Sequence, residues 1–393
     1  MLPERQLIEQ RIRTALESTP TRIPVLIGSC GSGRSTLLHR TYTTLTENNA
    51  QYIDAEHIAL TPEGFLNAVT DDFGYFETNS PAYQPKNRHS SRATFDALLE
   101  FFNQKPQSNT PPTTFLIDEV LDIRTLESFP GLRGVMRELF ESFAESPNRF
   151  VLASRFVSRT LRLLKDFSGR FEVIQIPALT PTEAINTLEQ CGVGQNAAER
   201  NDIGRMVHAL TDGRATYVNI LASALAATNG ASGGDPVSAL TGQMATGTNL
   251  WWRCRFSYEL RLHRARGYGS LKGILAILAD EEAQTLTEIA RKLGRTPGST
   301  KDYLSWLEDV DLVRARQKRY SYTDPLLRLW VRLHGHIRPP TEVTLAREVQ
   351  EYAVQRLPLL TESDDVTVAA KVTHIESNVS QRTTRPLDLI EYD

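Results

Sequence analysis

The stretch that decides the reading is Gly28-Ser29-Cys30-Gly31-Ser32-Gly33-Arg34-Ser35-Thr36, preceded by the apolar run Ile23-Pro24-Val25-Leu26-Ile27 and followed by Leu37-Leu38. It reads as a strand, a glycine loop and a helix start. The spacing G-x-x-x-x-G-[basic]-[Ser/Thr] is that of a phosphate-binding loop, in which glycines let backbone N–H groups curl around a polyphosphate and the helix N-terminus adds its positive dipole end. Gly28 through Thr36 are therefore the candidate nucleotide-binding residues, with the hydroxyl of Ser35 placed for a Mg²⁺ ion. One letter departs from the pattern: Arg34 stands where a lysine is usual.

Working outward, a second apolar run, Thr113-Thr114-Phe115-Leu116-Ile117, ends in Asp118-Glu119. A buried parallel strand delivers its acids at its C-terminal end, where open α/β sheets bind ligands. Asp118 is the expected second Mg²⁺ residue, and Glu119 the group that orients or polarises an attacking water. A third run, Arg149-Phe150-Val151-Leu152-Ala153, ends in Ser154-Arg155 and lands on the same edge. There Ser154 is expected to hold the water or the γ-phosphate and Arg155 to sense its charge, against the alternative of a loop arginine paired with a surface carboxylate. Further strands are read at 51–54 and 171–176, and helices at 4–17, 34–46, 62–72, 93–103 and 131–146. The Asn-, Ser- and Pro-rich segment 75–92 reads as a surface excursion. Helical patterns after Pro177 run to about residue 227 and suggest a lid, in which Arg214 either reaches phosphate or faces solvent.

The chain has 393 residues, of which 40% are hydrophobic and 23% charged, too many for one core of ordinary size. The formal net charge of −3 is unevenly spread: residues 251–338 carry 17 Arg or Lys against 10 Asp or Glu, so +7 there leaves −10 elsewhere. That asymmetry points to a basic binding face in the C-terminal third. Three scattered cysteines support neither a disulfide framework nor a zinc knuckle and fit a reducing cytoplasm. Residues 1–5 lack an apolar targeting core, and no apolar stretch approaches the ~18 residues that cross a bilayer.

Beyond a Gly-, Ala- and Ser-rich stretch at 229–250, Thr285-Leu286-Thr287-Glu288 opens a helix that ends at Gly294, and Thr296-Pro297 opens another to about 309. The basic segment 312–322 then reads as a β-hairpin wing, completing a winged helix. On a duplex-DNA reading, Arg295, Ser299, Thr300, Lys301 and Ser305 face the major groove or its phosphates while Arg314, Arg316, Lys318 and Arg319 touch backbone. Asp302, Glu308 and Asp309 dilute that surface, which leaves an intramolecular or protein-binding role open. Trp251, Trp252 and Trp306 read as core or interface residues. Residues 341–357 read as a helix with Leu345, Val349, Tyr352 and Leu357 on one stripe, and 361–393 as a polar tail open to a protein partner.

The order of these motifs, with Pro177-Ala178-Leu179 and the ending Tyr303-Leu304-Ser305-Trp306-Leu307-Glu308, Asp311-Leu312-Val313 and Tyr320-Ser321-Tyr322-Thr323-Asp324-Pro325-Leu326-Leu327-Arg328-Leu329-Trp330, resembles the AAA+ and STAND group of ATPases. It is most similar to the archaeal-type ATPases that end in a winged helix, over about residues 1–335. The resemblance implies an α/β parallel-sheet core at 1–177, a helical lid at 178–228, a linker at 229–250, an α+β winged-helix domain at 251–338 and a tail at 339–393. It implies ATP or ADP with Mg²⁺, and leaves homo-oligomerisation open. Arg34 departs from the family lysine. Arginine is a larger planar fork than a compact ammonium, so binding can survive while turnover falls. Two expectations result: an ATP-hydrolysing switch or motor that grips DNA, with Arg34, Glu119, Ser154 and Arg155 as its catalytic set, or a nucleotide-gated scaffold with little hydrolysis.

Overall fold

The computed structural model describes residues 3–45, 49–71, 90–105, 111–167, 169–228, 234–263, 267–335 and 338–357. The surface excursion therefore lies outside the described residues except for its last three positions, and so does the tail from 358 onward. Helix α1 (Pro3–Glu17) leads into β1 (Ile23–Ile27), and α2 (Arg34–Leu45) begins directly after the glycine loop. β2 (Ala50–Asp54), α3 (Ala55–Ile58), α4 (Pro62–Asp71) and α5 (Ser91–Phe102) precede β3 (Thr114–Asp118). A 3₁₀ segment at Val120–Ser128, α6 (Val135–Glu145), β4 (Arg149–Ser154), α7 (Val157–Leu164) and β5 (Phe171–Gln175) complete the core.

The five strands lie in the order β2-β3-β4-β1-β5, all parallel. Strands β1 and β3 are buried at every position, as expected of apolar runs covered by helices on both faces. Side-chain alternation divides the layers. Leu26, Leu116, Val151 and Ala153 pack with Ile12, Leu16, Leu37 and Leu38 of α1 and α2 on one face. Val25, Ile27, Phe115, Ile117, Phe150 and Leu152 join α4, α5 and α6 on the other, where Phe102, Phe115, Phe143 and Phe150 stack in contact. Pairing Ile27 with Ser154, and Asp54 with Asp118, brings the loop, the Asp-Glu pair and the Ser-Arg pair to one sheet edge.

Helices α8 (Pro181–Gln190), α9 (Ala197–Thr211) and α10 (Ala215–Thr228) follow. Thr180 and Glu183 close a reciprocal capping box at the start of α8, a device worth about 1 kcal/mol. The expected linker is corrected here: α11 (Pro236–Met244) and the first turn of α12 (Asn249–His263) occupy it, since Asp235 caps α11 and Pro236 sits at its first position. Next come α13 (Tyr268–Asp280), β6 (Gln284–Thr285), α14 (Leu286–Leu293), α15 (Pro297–Asp309), β7 (Val313–Arg316) and β8 (Arg319–Tyr322), forming a three-helix unit with an antiparallel sheet ordered β6-β8-β7. The hairpin turns at Gln317 and Lys318, both left-handed (φ 49° and 63°), as the twist of a tight two-residue turn requires. Helices α16 (Pro325–His334) and α17 (Glu342–Arg356) pack back on α9, α11 and α12, with Leu345, Val349 and Tyr352 buried.

Candidate functional site at the sheet edge

Gly31 and Gly33 adopt φ of 80° and 89°, conformations open to glycine. At Gly28 the constraint is space: a Cβ would lie 2.7 Å from Ser32 Oγ and 3.1 Å from the Ile176 carbonyl. Ser29, Ser35 and Thr36 are exposed, Cys30 is half-buried, and the buried Ser32 Oγ has no hydrogen-bond partner among the described residues. The loop is braced from two sides that its motif does not announce. Arg5 of α1 donates to the carbonyls of Ser32 and Pro177, each at 2.9 Å. Arg214 is 5% exposed rather than solvent-facing; it donates to the Cys30 carbonyl and to the Thr323 carbonyl, each at 2.8 Å, and lies 3.5 Å from Asp324.

Asp118 Oδ2 accepts from the Tyr52 hydroxyl at 3.0 Å, and Ser35 lies near the same carboxylate. Burial and the adjacent Glu119 charge raise the Asp118 carboxyl above the ordinary aspartate value, against the pull of the Ser35 and Tyr52 hydroxyls and of Arg34. Glu119, in a left-handed conformation (φ 51°), turns back toward the loop. Its Oε1 takes Nη2 of Arg34 at 2.9 Å, and its Oε2 takes the backbone N–H of Arg155 at 2.9 Å and Nε of Arg155 at 3.0 Å. Burial alone would raise the Glu119 carboxyl, but the two guanidinium groups outweigh it and hold the group below the usual glutamate value.

Arg34, 6% exposed, is thus turned inward. Beyond Glu119 it donates to the carbonyls of Gly28 and Ser29, the latter at 3.0 Å. Arg155 is shared among acids: Glu119, Glu56 and, at 3.5 Å, Asp122. It is no surface loop arginine. Ser154 is fully buried and its Oγ accepts the Phe156 N–H at 3.2 Å, which holds the turn that leads into α7. The Cys30 thiol is drawn below the ordinary cysteine value: burial works against this, but Arg261, the Ser257 hydroxyl at 3.6 Å, Arg155 and Arg34 prevail. Arg5, Tyr52 and Glu56 carry no motif signal; only the fold brings them to the loop.

On the C-terminal unit, Arg295, Lys301, Arg314, Arg316, Lys318 and Arg319 are exposed. Arg319 also donates to the Ala283 carbonyl at 2.7 Å, and Ser299 is half-buried with its hydroxyl on Thr296. Thr300 is corrected: it is 0% exposed and its hydroxyl returns to the Thr296 carbonyl at 2.9 Å, because its position on α15 faces the unit's own core. Trp251 is buried against Trp330 at 6.3 Å, whereas Trp252 stands 53% exposed, against expectation.

No family model matches the chain, and no curated protein does. Solved structures share its fold. The Walker-type ATPase of Pyrococcus abyssi superposes with a TM-score of 0.61 at 17% identity, over 84% of this chain and 95% of that one. The Orc1 protein of Aeropyrum pernix, in complex with DNA, gives 0.47 at 14% identity over 91% and 95%. The RuvB Holliday-junction branch migration motor of Thermotoga maritima gives 0.39 at 15% identity over 81% and 91%; these two lower scores add nothing to the assignment. The fold shared with the first of these is an α/β, P-loop NTPase-like core on a five-stranded parallel sheet. Among the described residues no helix is long and apolar enough to cross a membrane.

Proposed function

We propose that the chain is an ATP- or ADP-binding switch of the AAA+ type whose C-terminal winged helix contacts duplex DNA. The observation that carries the nucleotide reading is the convergence of the glycine loop, Asp118-Glu119 and Arg155 on one sheet edge. The residues fit a polyphosphate: two glycines turn the loop, and Ser32 keeps a buried hydroxyl without a partner among the described residues. Ser35 and Asp118 would hold Mg²⁺, which when bound neutralises phosphate charge. The other roles belong to the chain. Arg34 must leave the Gly28 and Ser29 carbonyls to face phosphate, and Glu119 must be released from at least one arginine before it can orient water. Arg155, already beside Glu119, is placed to answer a new negative charge by changing partner.

This engagement of both Glu119 oxygens favours a second reading, a nucleotide-gated scaffold that turns over rarely. Single-turnover phosphate release with labelled ATP separates the two. Release from the unchanged chain above that of Glu119→Gln supports hydrolysis, and an Arg34→Lys variant is expected to raise it, since the shorter ammonium spans less readily to Glu119. Equal release from the unchanged chain and Glu119→Gln removes hydrolysis while leaving the bound nucleotide, identified in purified protein, to test binding.

The DNA reading rests on the exposed cations of the hairpin and α15. Duplex affinity is expected to fall steeply with salt, and Arg316→Ala/Lys318→Ala to lower both the affinity and the salt slope, by about one unit per lost phosphate contact. Salt-independent binding, or affinity unchanged in that double variant, would exclude the wing as the contact. The three free thiols fit a reducing, cytoplasmic setting.

A further inference from the structure

Helix α12 presents an apolar stripe that the folded core leaves uncovered. Trp252 and Phe256, one turn apart, are 53% and 57% exposed, and Leu260 continues the row half-buried. Between this stripe and α10 lies a shallow groove of about 650 Å³, floored by Thr216, Ile220 and Phe256. Phe256 also borders a second hollow of about 490 Å³ against Tyr268, so the two form one track along the helix. Its rim is positive: Arg253 and Arg255 are exposed, and Arg255 sits over the Trp252 ring at 5.3 Å. Glu259, the acid on the track, is already held by Lys272 at 3.2 Å and by the Tyr268 hydroxyl at 2.8 Å.

We infer that this groove is the docking site for residues 386–393 of the same chain. The segment Pro386-Leu387-Asp388-Leu389-Ile390-Glu391-Tyr392-Asp393 interleaves four large apolar residues with three acids, the complement of an aromatic track with an arginine rim. Its origin lies close by. Arg356, at the end of α17, donates to the Ala209 carbonyl at 3.1 Å and lies 3.6 Å from Asp212. Asp212 is four residues before the groove residue Thr216, a span of at most about 15 Å. The intervening chain, 358–385, is 28 residues long, and a flexible chain of that length spans roughly 30 Å, enough to reach the groove. Thr216 also donates its N–H to the Gly31 carbonyl at 3.0 Å, so the docked segment abuts the phosphate-binding loop.

The test is amide hydrogen exchange on the full chain. Amides of 387–393 are expected to exchange about tenfold or more slower than in a free peptide, at a rate independent of protein concentration. Trp252→Ala/Phe256→Ala, and separately Arg253→Glu/Arg255→Glu, return them to the free-peptide rate. The second variant changes exposed side chains and leaves the aromatic track in place, which keeps the test decisive if the first does not fold. Free-peptide exchange in the unchanged chain overturns the assignment, as does protection that survives the charge reversal. Protection that grows with concentration assigns the groove to a second copy and overturns it equally.

Discussion

At the scale of single residues, the phosphate-loop arginine has a partner that explains its inward pose. A lysine ammonium is a point charge, whereas the Arg34 fork contacts two loop carbonyls and the Glu119 carboxylate at once. Arg34, Glu119 and Arg155 are all buried, so the pairs are not screened as surface pairs are. Removing the central charge leaves two buried guanidinium groups short of a partner. Glu119→Gln is therefore expected to cost about 3–5 kcal/mol in urea unfolding, the range for breaking a buried pair. Adding Arg34→Met to that variant is expected to recover part of the loss. The pH dependence follows from direction. With its folded value below its unfolded one, Glu119 contributes stability above the unfolded glutamate range that is lost as pH falls through the folded value. Asp118, raised in the fold, is opposite: it costs stability at neutral pH and ceases to do so as pH drops. The acid limb of the stability curve should accordingly flatten in Glu119→Gln, read by urea midpoints between pH 3 and 6.

At the scale of elements, what the sequence made legible was whatever carries a period or a motif. The strands ending in Ile27, Asp118 and Ser154 follow from apolar runs bounded by polar residues, and their shared edge follows from parallel pairing. Helices α14 and α15 announced themselves through Thr285 and Thr296 caps. Helix α12 did not, because besides the buried Trp251, Cys254, Tyr258 and Leu262 it exposes Trp252 and Phe256, so its large apolar residues do not fall on one face. The Val120–Ser128 segment was hidden for a related reason: Asp122, an acid in its first turn, is buried beside Arg155, a contact that only the fold creates. Glu119 was legible as an acid at a strand end, but its two arginine partners come from positions 34 and 155 and no local pattern joins them.

At the scale of the whole molecule, two of the contacts between the C-terminal unit and the rest of the described residues differ in energy. On α7, immediately after Arg155, Arg162 pairs with Asp309 and Ser158 donates to Asp311 at 3.0 Å. Arg162 is more than half exposed, so this pair contributes at most about 1 kcal/mol. The second contact is buried: Arg214 joins the Cys30 carbonyl of the loop to Thr323 and Asp324, and Asp324 also takes the Tyr217 hydroxyl at 2.8 Å. Losing Arg214 strips partners from a buried aspartate and two carbonyls. Arg214→Ala should therefore loosen the unit far more than Arg162→Ala, seen as faster amide exchange in α13 to α16. Because Arg214 also holds the loop, the same variant should weaken nucleotide binding, whereas Arg162→Ala should leave it within about twofold. Equal effects of the two variants on exchange would show that the exposed pair, and not the buried arginine, carries the coupling. The hairpin cations Arg314, Arg316 and Lys318 stay exposed in this docked arrangement, so the proposed duplex contact would not require undocking. If docking and DNA contact are independent in this way, Arg214→Ala should change duplex affinity much less than Arg316→Ala/Lys318→Ala does.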